Sequence, residues 1–339
     1  MTACTRRDNP MKSIALALAV VSMFVMAPAR AQETPLLLEK KISLGEVRGR
    51  IDHLAVDLKR NRLFVAELEN DTVGVVDLDA GKVTQVIFGL KHPQGLGYHP
   101  WTDALYVANG DDGSVAVFQG DGYRPIARIP LGADADNVRV EASGNQVFVG
   151  YGDGALAVID PVSHNKIAEI KLNAHPESFQ LDQMSYRIFV NDPANQAIAV
   201  LDRVAGKQVT SWPTGNASNF PMAQNDKAGH VVVAFRDPAR LAAFSMRDGA
   251  TAASVDLCGD ADDMFIDSKR ERVYVICGEG YVDIFDARGD GYPRIAHVAT
   301  MAGARTGLFV PQLDLLFVAA RSTASEPASV WVFRPNYVP

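Results

Sequence analysis

The sequence predicts an all-β protein: a seven-bladed β-propeller whose N-terminal strand completes the last blade. Three observations predict it. A short submotif occurs seven times at near-constant spacing, a second submotif follows each copy, and the one strand missing from the last repeat is found spare at the N-terminus. The first submotif reads Leu63-Phe64-Val65-Ala66 and recurs from Leu105, Val147, Ile188, Val231, Val273 and Leu316, at successive spacings of 42, 42, 41, 43, 42 and 43 residues. The second reads Gly74-Val75-Val76-Asp77 in the first repeat, Ala157-Val158-Ile159-Asp160 in the third and Trp331-Val332-Phe333 in the last. These are β-branched and aromatic runs bounded by Gly, Asn, Asp and Pro, which is the chemistry of short strands. Four such strands in a unit of about 40 residues is the propeller pattern.

Each blade is read as an inner strand (54–57 in blade one, 96–99 in blade two), the two submotif strands and an outer strand. The turns Lys59-Arg60-Asn61-Arg62 and Lys269-Arg270-Glu271-Arg272 join the first two strands of blades one and six, and their charges are expected to be solvated turn residues. The last repeat ends at Val332-Phe333-Arg334-Pro335 with no outer strand after it. Lys41-Ile42-Ser43-Leu44-Gly45 is similar to Arg128-Ile129-Pro130-Leu131-Gly132, the outer strand of blade two. The N-terminal strand should therefore close the ring and cover edges that would otherwise stay open.

The segment before it reads as a targeting signal. Lys12 precedes an uncharged, largely apolar run from Ser13 to Ala27, and Ala29-Arg30-Ala31 has the small residues of a cleavage site. Residues 1–31 are thus expected to be a cleaved signal peptide, with Met11 an alternative start, and 32–339 a single propeller domain in the periplasm or secreted. The run is short for a membrane span, and no later segment reads as one, so no span is expected in the mature chain. The mature chain would carry 29 basic and 39 acidic residues, a net charge near −10. That balance disfavours nucleic acid, because phosphate neutralisation by Lys and Arg supplies most of such affinity. A monomer is expected. Two cysteines survive export, Cys258 and Cys277; both fall on one face of blade six and read as a disulfide pair, the alternative being two separate buried thiols.

Phe64-Val65-Ala66 and Tyr106-Val107-Ala108-Asn109, each followed by a strand ending near Val-Val-Asp or Val-Phe, resemble the YVTN-repeat (YncE-like) β-propellers. The resemblance covers essentially the whole mature chain. It implies the fold. For function it implies a range: surface-layer proteins, DNA-binding periplasmic propellers and lactonase-like enzymes, with haem or quinone held in propellers of related shape. Fold-level analogy does not select among these.

Chemistry is expected where loops converge around the channel. Aligning the copies gives one residue per blade just before the inner strand: Asp52, Gln94, Asp136, Glu177, Asn219, Asp262 and Arg305. The next position gives His53, Gly95, Asn137, Ser178, Phe220, Asp263 and Thr306, and the ends of the second strands give Glu67, Asn109, Asn191, Arg236, Glu279 and Arg321. The ring is polar and mainly acidic. One reading makes it a binding face for a small molecule or a protein, with Arg305 paired to Asp262 or Asp52, or facing an anionic group. The other takes Asp52, Asp136, Glu177 and Asp262 as oxygen ligands for a divalent cation, Ca²⁺ or Mg²⁺, serving a metal-assisted hydrolase of the lactonase-like type. A third treats them as solvated loop residues. His53 is the one histidine in the two central rows and the candidate general base. His92-Pro93 and His175-Pro176 match each other as turns. There is no G-x-S-x-G elbow, P-loop, dinucleotide fingerprint or haem-attachment motif.

Overall fold

A computed structural model describes residues 1–5, 34–141 and 143–337. The proposed signal peptide lies almost wholly outside the described residues. Residues 1–5 form no regular element, and Cys4 there is exposed.

From residue 34 onward the chain forms seven antiparallel sheets of four strands. Blade 1 spans residues 54–87, blade 2 93–130, blade 3 135–171, blade 4 179–213, blade 5 217–256, blade 6 261–299, and blade 7 306–335 together with the N-terminal strand Leu36–Ser43. That strand pairs antiparallel with Ser329–Pro335, from Leu36 opposite Pro335 to Ser43 opposite Ser329. The predicted closure is therefore present. The strand starts five residues earlier than the sequence similarity suggested. Leu36 is buried against blades 6 and 7, and this anchors the extra turn of pleat.

Period-two alternation explains how the submotif builds a ring. Leu63 and Val65 pack towards blade 7, while Phe64 and Ala66 pack towards blade 2. In the next copy Leu105 and Val107 face blade 1, and Tyr106 and Ala108 face blade 3. Each of the seven apolar clusters joins two neighbouring blades, and one of them joins blade 7 to blade 1. The core is thus a closed circuit of blade-to-blade contacts. Second strands such as Ala104–Asn109 are buried at every position, whereas outer strands such as Asn165–Lys171 are mostly exposed.

The charged turns correct one expectation. Arg60 and Arg270 are not solvated. Arg60 donates to Asp57 at 2.7 Å within its own blade and to Asp103 of blade 2 at 2.6–2.7 Å. Arg270, 3 % exposed, repeats the pattern with Asp267 at 3.0 Å and with Asp314 of blade 7 at 2.6–2.7 Å. These bidentate contacts tie consecutive blades at the end of the strands remote from the predicted ring.

Candidate functional site

The inner strands do not begin as regular ladders. Pairing of the first two strands is irregular between Pro93 and Leu96, Ala135 and Val138, Asn219 and Met222, and Ala261 and Asp263. Gln94, Asp136, Asn137, Phe220 and Asp262 fall inside these bulges. A bulge re-aims the side chains it carries, and here it turns them towards the channel mouth. Gly95 lets blade 3 come close enough: a Cβ there would lie 2.1 Å from the Asp136 carbonyl oxygen.

The result is one polar chamber of about 240 Å³. Asp52, His53, Gln94, Asp136, Asn137, Glu177, Asp262 and Arg305 all line it. Of the two predicted rows, Asn219, Gly95, Asp263 and Thr306 lie elsewhere. Asn219 is fully buried and donates to Asn191 Oδ1 at 3.1 Å and to the Ala197 carbonyl at 2.9 Å, joining blades 4 and 5. Asp263 faces the next cavity down the channel, about 380 Å³, lined by inner-strand residues such as Val56, Leu96, Val138, Met264 and Leu308. Its carboxylate accepts from Gly307 N at 2.9 Å and lies 3.3 Å from His53 Nδ1. His53 and Ser178 line both cavities and mark the constriction between them.

Arg50, Asp134 and His175 also line the chamber and were not singled out as ring members. Each sits two residues before a predicted ring position, in or at the edge of the loop that enters an inner strand, so the same alignment of repeat copies reaches them.

The charges divide sharply by partner. Asp262 is clamped by Arg236 and by Arg305, whose Nε lies 2.9 Å from Oδ2. Asp260 accepts from Arg305 at 2.9 Å, so Arg305 is paired as expected with Asp262 and additionally with Asp260. Asp52, 2 % exposed, accepts from Arg50 at 3.0 Å. Asp136 and Glu177 have no such partner among the described residues. Burial pushes both up to about 7: for Asp136 against the pull of His53 and with the push of Glu177, for Glu177 with the push of Asp262 and against the pull of Arg236 and His53. Burial and Asp52 raise Asp262 as well, against its arginines. His53 goes the other way to a base. Burial opposes its charge, but Asp263, Asp52 and Asp136 prevail and hold it up to about 10. At neutral pH it is a cation and a donor, which removes it as a general base.

No three His, Cys, Asp or Glu side chains among the described residues are grouped as a metal site. Of the four carboxylates considered as oxygen ligands, Asp52 and Asp262 are taken up by arginines. In the loop Asp111-Asp112-Gly113, away from the chamber lining, Asp112 accepts from Ser114 N at 3.0 Å and pairs with Arg128 at 3.0 Å.

Behind the chamber, Cys258 and Cys277 form a disulfide with Cα atoms 5.9 Å apart. It fastens the loop that carries Asp260 and Asp262 to the end of the second strand of blade 6. Of the second-strand row, Asn109 and Asn191 are buried and hold neighbouring loops by hydrogen bonds. Glu279 accepts from Gly259 N at 2.7 Å. Arg321 makes no ion pair among the described residues, and its Nε is buried without a hydrogen-bond partner. Burial lowers its pKa, and Arg305 and Arg50 lower it further.

No helix among the described residues is long and apolar enough to cross a membrane. No family model matches the chain, and no curated protein matches it in sequence. Solved structures do. Hydrazine synthase of Kuenenia stuttgartiensis is 18 % identical at a TM-score of 0.73, covering 83 % of this chain and 94 % of that one. A chain of a mitotic checkpoint complex crystal structure is 12 % identical at a TM-score of 0.74, covering 95 % and 99 %. At such identities the likeness shows the fold and no more: the chain is a seven-bladed β-propeller.

Proposed function

We propose that this chain is an exported binding propeller that takes a small, positively charged molecule into the chamber at its channel mouth. One observation carries the reading: Asp136 and Glu177 face the chamber without a salt-bridge partner among the described residues, while Asp52 and Asp262 there are each paired with arginine. Unpartnered ionisable groups in a concave site mark the default binding site. The chamber volume lies just below the range of about 300–1,000 Å³ usual for drug-sized ligands, which fits a metabolite rather than a protein segment.

The disulfide supports export to the periplasm or beyond, since such bonds persist in oxidising compartments. The YVTN-repeat resemblance belongs to the same reading, and so does action as a monomer. Nucleic acid is disfavoured by the acidic balance of the mature chain. A metal-assisted hydrolase would need oxygen ligands, and arginines already hold two of the four candidates.

Incubation with a small-molecule cell extract, followed by washing, denaturation and mass spectrometry, tests the reading. A molecule retained by the wild-type protein and lost from the double variant Asp136→Asn, Glu177→Gln supports it. No molecule enriched over that variant would overturn it.

A further inference from the structure

Beyond the chamber the channel holds its second cavity, about 380 Å³ and bounded by the inner strands. Strand register allows one position to be compared around the ring. It is the inner-strand residue that pairs with the second residue of the first submotif. In blade 3 this is Arg139, opposite Phe148. The other six blades place Ala55, Gly97, Gln180, Ala223, Phe265 and Leu308 there. Arg139 is thus the one charged residue of the row. It lines the cavity and is only half-buried.

The Arg139 guanidinium is held in place without being neutralised. Nε donates to the Phe179 carbonyl at 3.2 Å, Nη1 to the Val138 carbonyl at 3.0 Å and Nη2 to Ser178 Oγ at 3.2 Å. All three acceptors are uncharged. No carboxylate forms an ion pair with Arg139 among the described residues. Burial lowers its pKa, and Asp263 and Asp136, acting only through space, offset this in part. Asp263 is already engaged, with His53 Nδ1 at 3.3 Å and Gly307 N at 2.9 Å. A guanidinium has five N–H groups, so two remain, one on Nη1 and one on Nη2. Two such donors are what a carboxylate takes in a bidentate contact. Ser178 Oγ accepts from Nη2, and its own hydroxyl proton goes to no acceptor among the described residues.

We propose that this cavity is a second binding site, for a monocarboxylate with a compact apolar body, of the aromatic or branched aliphatic acid class. The carboxylate meets the two remaining N–H groups of Arg139 and the Ser178 hydroxyl. The body lies against Val56, Val140, Phe265 and Leu308. These four side chains line the cavity and are half-buried, so apolar surface is there to be covered. The charge of the lining sets the valence. His53, Arg139 and Asp263 are its charged groups, and His53 and Asp263 pair with each other. One positive charge is left over, which one carboxylate cancels. Arginine suits that role because its planar fork presents paired donors. The volume lies within the range of about 300–1,000 Å³ usual for small-molecule sites. The site goes beyond the proposed function and does not depend on Asp136 or Glu177.

Calorimetric titration of the protein tests this with benzoate, phenylacetate and 4-methylpentanoate, with the amide of each, and with acetate as a carboxylate that lacks the body. The expected result is saturable one-site binding of at least one of the three acids, at least tenfold tighter than its amide and than acetate. Arg139→Lys keeps the charge and removes the fork, and should weaken that acid at least tenfold. Arg139 also bridges blades 3 and 4, so a second variant guards against misfolding. Leu308→Trp fills the cavity from blade 7 and touches none of the Arg139 hydrogen bonds; it too should weaken the acid at least tenfold. An amide that binds as tightly as its acid would overturn the carboxylate contact. Acid binding unchanged in both variants would place the ligand elsewhere and overturn the site, and so would silence from all three acids.

Discussion

The two ends of this ring treat charge in opposite ways. At the end remote from the chamber, Arg60 and Arg270 each hold two carboxylates, one from the next blade. Arg203 of blade 4 likewise pairs with Glu141 of blade 3. Hydrogen bonds from Arg60 and Arg270 hold the carboxyls of Asp103 and Asp314 below the usual carboxylate range, and the same contacts raise both guanidinium groups. The folded state there favours the charges of these four groups. At the chamber end the shifts are mixed: against burial, acids beside His53 and Arg305 hold those two groups charged, while other charges are opposed. Asp136 and Glu177 are raised and Arg321 is lowered, each chiefly by burial, so folding works against those charges. One end is finished by the fold and stitches blades together. The other is left incomplete, and incompleteness of this kind is what a ligand can relieve.

The comparison can be broken or sharpened by substitution. The largest effect is expected at the finished end. Arg270→Ala leaves Asp267, 1 % exposed, without its cation, and should cost about 3–5 kcal/mol in denaturant unfolding; a loss under 1 kcal/mol would show that the pair does not tie blades 6 and 7. Next, removing the disulfide with Cys258→Ser and Cys277→Ser opens a loop of 19 residues and should cost about 3 kcal/mol. Because that loop carries Asp260 and Asp262, the loss should come with weaker ligand binding. Unchanged affinity would separate the staple from the site.

Effects of the opposite sign are expected at the chamber end. Between about pH 4 and 7 the unfolded chain releases the protons of these two carboxyls while the folded chain keeps them. Ligand-free stability should therefore fall as pH rises through that window and level off above it. Affinity for a cationic ligand should rise through about pH 7 as both groups ionise; an affinity that is flat from pH 6 to 8 would argue against their direct contact with the ligand. The smallest effect concerns His53. Its imidazole should stay protonated at pH 8 and titrate near 10, and a proton NMR titration near the ordinary 6.5 would contradict the acidic surroundings described for it.

The reach of the sequence was uneven for physical reasons. Strand alternation is a local property, so Leu63-Phe64-Val65-Ala66 and its six copies disclosed the blades, the ring closure and the row of residues at each blade entrance. The same rows placed Asp136 and Glu177 together, because equivalent positions in a propeller share one end of the channel. Partners were harder to see. Arg60 meets Asp103 and Arg270 meets Asp314 across one repeat, 43 and 44 residues away, so in sequence each arginine looked like a lone turn residue. The fate of Asp262 and Asp52 was hidden likewise: which carboxylates the arginines take and which they leave depends on side-chain reach within bulges. Asn219 entered the predicted row by register, yet the blade 5 bulge buries it against Asn191.

The most direct test of the account compares ligand-free stability of the wild-type protein with that of Asp136→Asn, Glu177→Gln at pH 8. Replacing two unpartnered buried charges by neutral groups of the same shape should stabilise the folded state, on the order of 2 kcal/mol, while abolishing ligand binding. A variant that is less stable than the wild type at pH 8 would show that these carboxylates are already satisfied within the fold, and that the chamber is not waiting for a ligand.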